Sequence, residues 1–288
     1  MRATQVIDQR LSDPQKSKAG VLANFVTGCP IAVGGFMMNG LVVGALWVGA
    51  LIVGPTVSAT ESTLEEISAS AVVTWQGRND VEVPNDGSAS RFALDALTGD
   101  GPWVAGRIEL SGQWRERQEW RILLAPLALS ESGTSATDIA FQGASFASGS
   151  IDARYQFNSW RLTWRYLWID RADLRVKVGF TAKVRDASIR LRQGSLVASK
   201  NDTGFVPLLH AAVEKPLADR WLLEADIDAL GGGPGYAVDL GAGFSYSLSD
   251  DWRVRGQLRF LDGGANNDKV YAFARFSSFN LGVVWRPR

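Results

Sequence analysis

The sequence predicts an all-β protein: a transmembrane antiparallel up-and-down β-barrel of about ten strands, following an N-terminal signal peptide. Three observations predict it. From residue 60 onward apolar and polar residues alternate with the period of a strand, and no convincing amphipathic helix occurs. Short and long connections alternate between these segments, as periplasmic turns and external loops do in outer-membrane barrels. Six tryptophans with one parity sit beside the short connections and at the end of the last strand.

The first 59 residues are a different material. Arg2, Arg10, Lys16 and Lys18 precede a long apolar run from Pro30 to Val57. Gly54-Pro55 breaks the run, and Val57-Ser58-Ala59 offers the small residues that a cleavage site needs. Residues 1–59 therefore read as a signal peptide with a long n-region, cut after Ala59, and 60–288 as the barrel domain. A permanent transmembrane helix is the alternative, because the run is long enough to span. Val26-Thr27-Gly28-Cys29 resembles a lipoprotein box, but the apolar stretch before it is too short. The sole Cys lies in this leader, so the remainder has no thiol to mispair in an oxidising compartment. Removing four basic and two acidic groups leaves that remainder at −2, from a whole-chain net charge of zero.

Strands are expected near 70–82, 102–114, 119–129, 152–169, 173–186, 204–214, 220–229, 236–247, 252–262 and 270–286. The alternation is clearest where Leu174, Val176, Val178 and Phe180 interleave with Arg175, Lys177, Gly179 and Thr181. Tight turns are read at 115–118, 170–172, 215–219 and 248–251. Longer loops are read at 84–101, 130–151 and 193–204. An eight-stranded barrel stays open, because the segments before Trp120 are the weakest. Phe141 and Phe146 in the 130–151 loop are candidates for a partial plug.

Alternation alone does not separate a soluble sandwich from a membrane barrel. Tryptophan placement does. Trp114, Trp120, Trp168, Trp221, Trp252 and Trp285 share the apolar parity at one end of the strands. A ring of indoles is what a membrane interface selects. Phe205, Tyr271 and Phe273 are candidates for the opposite girdle. Trp103 has the inward parity, and Arg275 is an outward misfit that would meet lipopolysaccharide phosphates or mark a bulge.

The inward parity collects twelve basic groups, Arg78 among them, and eight acidic groups, Asp80 among them. Buried charges must be paired. Folding about the tight turns sets Asp239 opposite Arg259 and His210 opposite Glu224, with Asp226 close by. Arg165 would face Lys177, and that pair needs an acid from elsewhere. Ten strands fall near the filled limit of barrel width, so at most a narrow, weakly anion-favouring path is expected.

Balanced charge argues against nucleic-acid binding. One His and one Cys exclude zinc fingers, disulfide frameworks and iron–sulfur clusters, and no metal or cofactor is expected. Gly231 to Gly235 is not followed by a helix and is no phosphate loop. His210, the one imidazole, is the candidate general base of the alternative reading, an outer-membrane hydrolase acting on peptide or lipid.

Phe279, Leu281, Val283 and Trp285 resemble the C-terminal signal read by the barrel-assembly machinery, although Arg286-Pro287-Arg288 follow the aromatic. The stretch from Gly179 to Ser188, with Gly204-Phe-Val-Pro-Leu-Leu-His210, resembles an uncharacterised family of Gram-negative outer-membrane β-barrel proteins over most of 78–286. The resemblance implies fold and location, and no catalytic residues. The expectation is a non-enzymatic outer-membrane barrel, structural or a narrow pore, with outer-membrane lipid, lipopolysaccharide and the assembly machinery as partners. A surface binder acting through external loops is a further alternative. The solute and the oligomeric state are not legible.

Overall fold

The computed structural model describes residues 63–233 and 235–288. The leader, its cleavage after Ala59 and the lipoprotein-like Cys29 lie outside the described residues.

The described chain closes into a barrel of ten staves. They are β1 (Thr63–Glu82), β2 (Trp103–Arg115), β3 (Gln118–Ala125, resumed as Ala128–Ser135), β4 (Gly149–Arg171) and β5 (Leu174–Gln193). β6 (Leu196–Ala218), β7 (Trp221–Gly232), β8 (Gly235–Ser247), β9 (Trp252–Asn267) and β10 (Val270–Trp285) complete it. Each stave pairs antiparallel with the next, and β10 returns to β1 from Ile67↔Trp285 to Glu82↔Tyr271. Closure removes the free edges that a lipid environment would leave unsatisfied. The eight-stranded alternative is thereby excluded.

The four tight turns and the C-terminus share one end of the barrel with Thr63, hereafter the terminal end. At the other end, the loop end, the expected connection lengths are corrected. Residues 193–204 are not a loop: β5 and β6 stay paired up to Gln193↔Leu196, and Gly194 makes the turn at φ 59°. Short turns likewise join β7 to β8 and β9 to β10. Long connections remain at 83–102 and 136–148.

The staves change chemistry along their length. Near the terminal end the outward residues are apolar, with Leu258 67%, Phe180 61% and Leu162 55% exposed, while Arg, Lys, Asp and Glu face inward. Beyond Val184 the pattern inverts. On β5, Ile189 and Leu191 turn inward and are buried, while Asp186, Ser188, Arg190 and Arg192 face out. On β4, Ile151, Ala153 and Tyr155 are inside, and Asp152, Arg154, Gln156 and Asn158 are outside. The lower barrel is built for lipid and the upper barrel for water. Asp152 belongs to the wet part, where hydrogen bonds from Ser132 and Arg192 hold its carboxyl below the usual range.

Two interfacial markers bound the lipid-facing belt. Tyr246 and Trp285 lie ten residues from Tyr236 and Arg275 on their own staves. Ten tilted residues cover roughly 25 Å, the height of an outer-membrane apolar band. β4 and β6, at 23 residues each, therefore project well past it. Leu240 lies near mid-belt and is 45% exposed. Leu240→Arg is expected to lower the stability of the refolded protein in lipid by about 2–4 kcal/mol. An arginine introduced at the height of Arg190, for example Ser199→Arg opposite it, should have little effect; equal costs at both levels would refute the belt.

The six tryptophans lie at the terminal end. Trp114, Trp168, Trp221, Trp252 and Trp285 are exposed, and Trp120 is half-buried because its ring lies over Gly112. Trp164 is a seventh outward indole, stacked on Phe180. Trp103 faces inward and packs on the interior apolar cluster. A register shift between Gln76 and Arg78 reverses the parity of upper β1, so Arg78 and Asp80 face outward and leave the expected lumen set. Arg275 also faces outward, without a bulge in β10, and is paired with Asp262 at 2.9 Å.

The loop end is stopped by an apolar core. The 83–102 connection carries Leu94 and α1 (Asp95–Thr98), whose Leu97 lies against Gly133 of β3. A small hairpin (Ile139–Phe141 with Ala144–Phe146) docks on the same connection through Gln142 N to Val83 O, 3.0 Å. Phe141 and Phe146 are wholly buried with Leu94, Leu129, Ile151, Leu191 and Phe276.

Candidate functional site: a buried ion network beneath an apolar plug

Below the plug the inward side chains are charged, and the register decides which of them meet. Asp228 sits at the centre with no exposed surface. It is opposite His210 across the β6–β7 ladder and opposite Asp239 across β7–β8. Its carboxylate accepts hydrogen bonds from Arg161 (2.8 Å), Arg121 (3.0 Å), Thr181 (2.7 Å) and His210 Nδ1 (2.7 Å). Four donors from β3, β4, β5 and β6 thus converge on one acid from β7. Such charge-assisted bonds in a dry site are strong, and together they offset the cost of burying the ions.

The expected His210–Glu224 pairing is corrected. β6 meets β7 four residues away from the anticipated register, so Glu214 is opposite Glu224 and Asp228 takes His210. β6 stays paired through Pro216 to Ala218, so the turn shrinks to Asp219 and Arg220 and its centre moves along the chain, which moves the register. Glu224 instead receives both arms of Arg255 at 2.9 Å. Asp228 has the inward parity but was not singled out from the sequence; only the register reveals its centrality.

Asp239 and Arg259 are not directly opposite, because Gly241 faces Arg259. They meet diagonally at 2.8 Å. Arg259 also grips Asp226 at 2.9 and 3.0 Å, and Arg161 reaches from Asp228 to Asp239. Arg165 does not face Lys177: it is opposite Gly179, and Lys177 is opposite Leu167, yet both bind one acid, Glu119 from β3, at 3.1 and 2.9 Å. Lys177 also binds Glu214 at 2.6 Å. Asp239, Arg259, His210, Glu224, Asp226, Arg165 and Lys177 thus all face the lumen, in two separate ion groups centred on Asp228 and on Glu119.

Glu66 was missed because β1 was expected to begin near residue 70. It pairs with Arg253 and, at 3.0 Å, with Arg286 beyond the last stave. The Arg286 that interrupts the C-terminal aromatic pattern thereby closes the seam between β1 and β10.

Two cavities of about 90 Å³ each flank the central layer. The lower one is polar and lined by Glu66, Glu119, Lys177, Glu214, Glu224 and Arg255. The upper one is mostly apolar and lies between the ions and the plug. Arg107 and Arg259 line both and stand between them. Among the described residues the lumen is thus blocked twice along its axis, by ions and by apolar side chains.

No protein-family description and no curated protein matches the chain. Solved structures do. The outer membrane protease OmpT from Escherichia coli superposes with a TM-score of 0.51 at 8% identity, covering 80% of this chain and 99% of that one. The fold is that of an outer-membrane β-barrel. The translocator domain of the autotransporter NalP from Neisseria meningitidis (TM-score 0.36, 13% identity, 79% and 90% covered) is more distant. So is Ail, the attachment invasion locus protein of Yersinia pestis (0.34, 11%, 77% and 99%). At such identities the likeness carries fold and no chemistry.

Proposed function

We propose that this protein is a non-enzymatic barrel of a Gram-negative outer membrane whose lumen is closed along its axis. The observation that carries this reading is the double block: the Asp228-centred ion layer, and above it the plug formed by Leu94, Leu97, Phe141 and Phe146. A narrow anion-favouring path would need unpaired basic groups along a wetted route. The central Arg121, Arg161 and Arg259 are instead bound to Asp226, Asp228 and Asp239. The hydrolase alternative loses support because the His210 side chain has no exposed surface. The nearby hydroxyls of Thr163 and Thr181 are bonded to one another, and Thr181 also donates to Asp228.

Planar-bilayer recording tests this. The refolded protein is expected to give no unitary current steps, and a steady unit conductance at moderate voltage would overturn the closed-lumen reading.

Binding at the cell surface is the second reading. It is favoured by the β5–β6 hairpin, which projects beyond the belt with a polar outer face. Reversing the outward charges of that hairpin with Arg190→Glu and Arg192→Glu should abolish surface adhesion by expressing cells if this reading holds, and leave the inward Leu191 and the barrel in place.

A further inference from the structure

The barrel wall has an opening in its side. The β2–β3 ladder runs from the terminal end up to Ile108↔Leu124 and stops there. Above that pair, Trp103–Arg107 remain bonded to β1, while the resumed half of β3 bonds to β4 alone. No backbone hydrogen bond among the described residues joins these two edges. The local cause is Ala125-Pro126-Leu127. Pro126 has no N–H to give to a ladder. The next N–H, that of Leu127, is taken by the Asn158 side chain at 3.3 Å. Higher up, Trp103 Nε1 reaches Glu131 at 3.2 Å, so the gap is a bounded window rather than an open seam.

Its height and surroundings decide what it faces. Ala125 is opposite Ser159, just below the level where the outward face turns polar at Asn158. Outside, the rim is apolar: Val104 is 78% exposed, Ile108 47% and Leu124 38%. Inside is the upper cavity, whose walls include Val72, Ala105, Leu127, Phe157, Leu261 and Phe276. Its floor is the charged layer of Arg107, Arg161, Asp239 and Arg259. Unpaired backbone in hydrocarbon is costly and is tolerated where it lines a cavity. An apolar chamber that opens sideways onto lipid is therefore a site for an apolar group arriving from the bilayer.

We propose that this window admits the end of an alkyl chain from a membrane lipid into the upper cavity, with the charged floor setting how deep it goes. Axial closure and lateral access are independent, so this inference does not rest on the absence of conductance.

Photo-crosslinking tests it with the full-length protein. One arm uses liposomes containing a phosphatidylethanolamine with a diazirine near the end of one acyl chain; the other uses a diazirine fatty acid with protein in detergent. Labelled residues are mapped by mass spectrometry. Label on the inward Phe157, Leu261 or Phe276 in the phospholipid arm is the expected result. Interior label in the fatty-acid arm alone would overturn the bilayer source. Label confined to outward residues such as Val104, Leu162 and Phe180 in both arms would overturn the site itself.

Two variants locate the entry. Gly106 faces outward at the rim with open space around a Cβ, so Gly106→Trp covers the window without a local clash. Pro126→Val restores the missing donor. Each should reduce interior label about tenfold while the outward label, an internal measure of folding, stays constant. Undiminished interior label in both variants would overturn the lateral route.

Discussion

Asp228→Ala is expected to lower the unfolding free energy by about 3–5 kcal/mol, the usual result of leaving a buried counter-ion uncompensated. The residue has no exposed surface, and four donors lose their shared acceptor at once. Arg161 keeps Asp239, but the remaining acids of Arg121 lie at 3.6 and 3.8 Å. Arg121 therefore bears most of the penalty. Urea unfolding of protein refolded into lipid, followed by tryptophan fluorescence, measures it. Asp228→Asn keeps an acceptor for Thr181 and should cost less. Replacing the pair together, Asp228→Leu with Arg121→Met, should recover part of the loss, because an apolar pair carries no desolvation penalty. A cost below about 1 kcal/mol for Asp228→Ala would mean that water reaches and solvates this layer.

Phe141→Ala and Phe146→Ala are each expected to cost about 3–5 kcal/mol in the stability of the plug. Both rings are wholly buried, and Phe141 packs edge-on against Phe92 at 6.1 Å between centroids. The change creates a void in a packed core, and leaves the small hairpin held by Ile139 and by hydrogen bonds to Val83, Ser90 and Gln193. Limited proteolysis should then cut the 136–148 and 83–102 connections at protease concentrations that spare the unaltered protein. The plug and the Asp228 layer share no bonded partner, so the Phe141 and Asp228 effects should add. Strong non-additivity would show that the two blocks are one cooperative unit.

How much of this was legible in the sequence follows from what alternation encodes. Period two reports which residues share a face, and in a belt where one face meets lipid that is enough. It placed Trp168, Trp221 and Trp252 outward at the terminal end, and His210, Asp239 and Arg259 inside. It suggested about ten staves and left eight open, which closure of the ladder decided. It failed where the meaning of the two faces reverses. At Val184 and Asp186 the outward residue passes from apolar to charged, and the strand looks finished although the ladder continues to Gln193. The apparent loop at 193–204 was a paired strand read through that reversal.

The partners within the lumen were less legible still. A contact such as His210–Asp228 depends on register, and a bulge near Pro216 or Gly77 shifts every later pairing. Arg78 and Asp80 left the lumen through one such bulge. The convergence of Arg121, Arg161 and Thr181 on one carboxylate depends further on how staves distant in the chain curve together across the barrel.

The sequence by itself determined the class of fold, the lipid-facing belt and its tryptophan rim, because solvent on each face acts on residues one at a time. The tertiary structure alone decided the register, the central place of Asp228, the inward collapse of the 83–102 and 136–148 connections, and the window beside Pro126. Those depend on which strands run out of partners and which charges share a dry interior. Both are properties of the closed barrel and not of any local stretch.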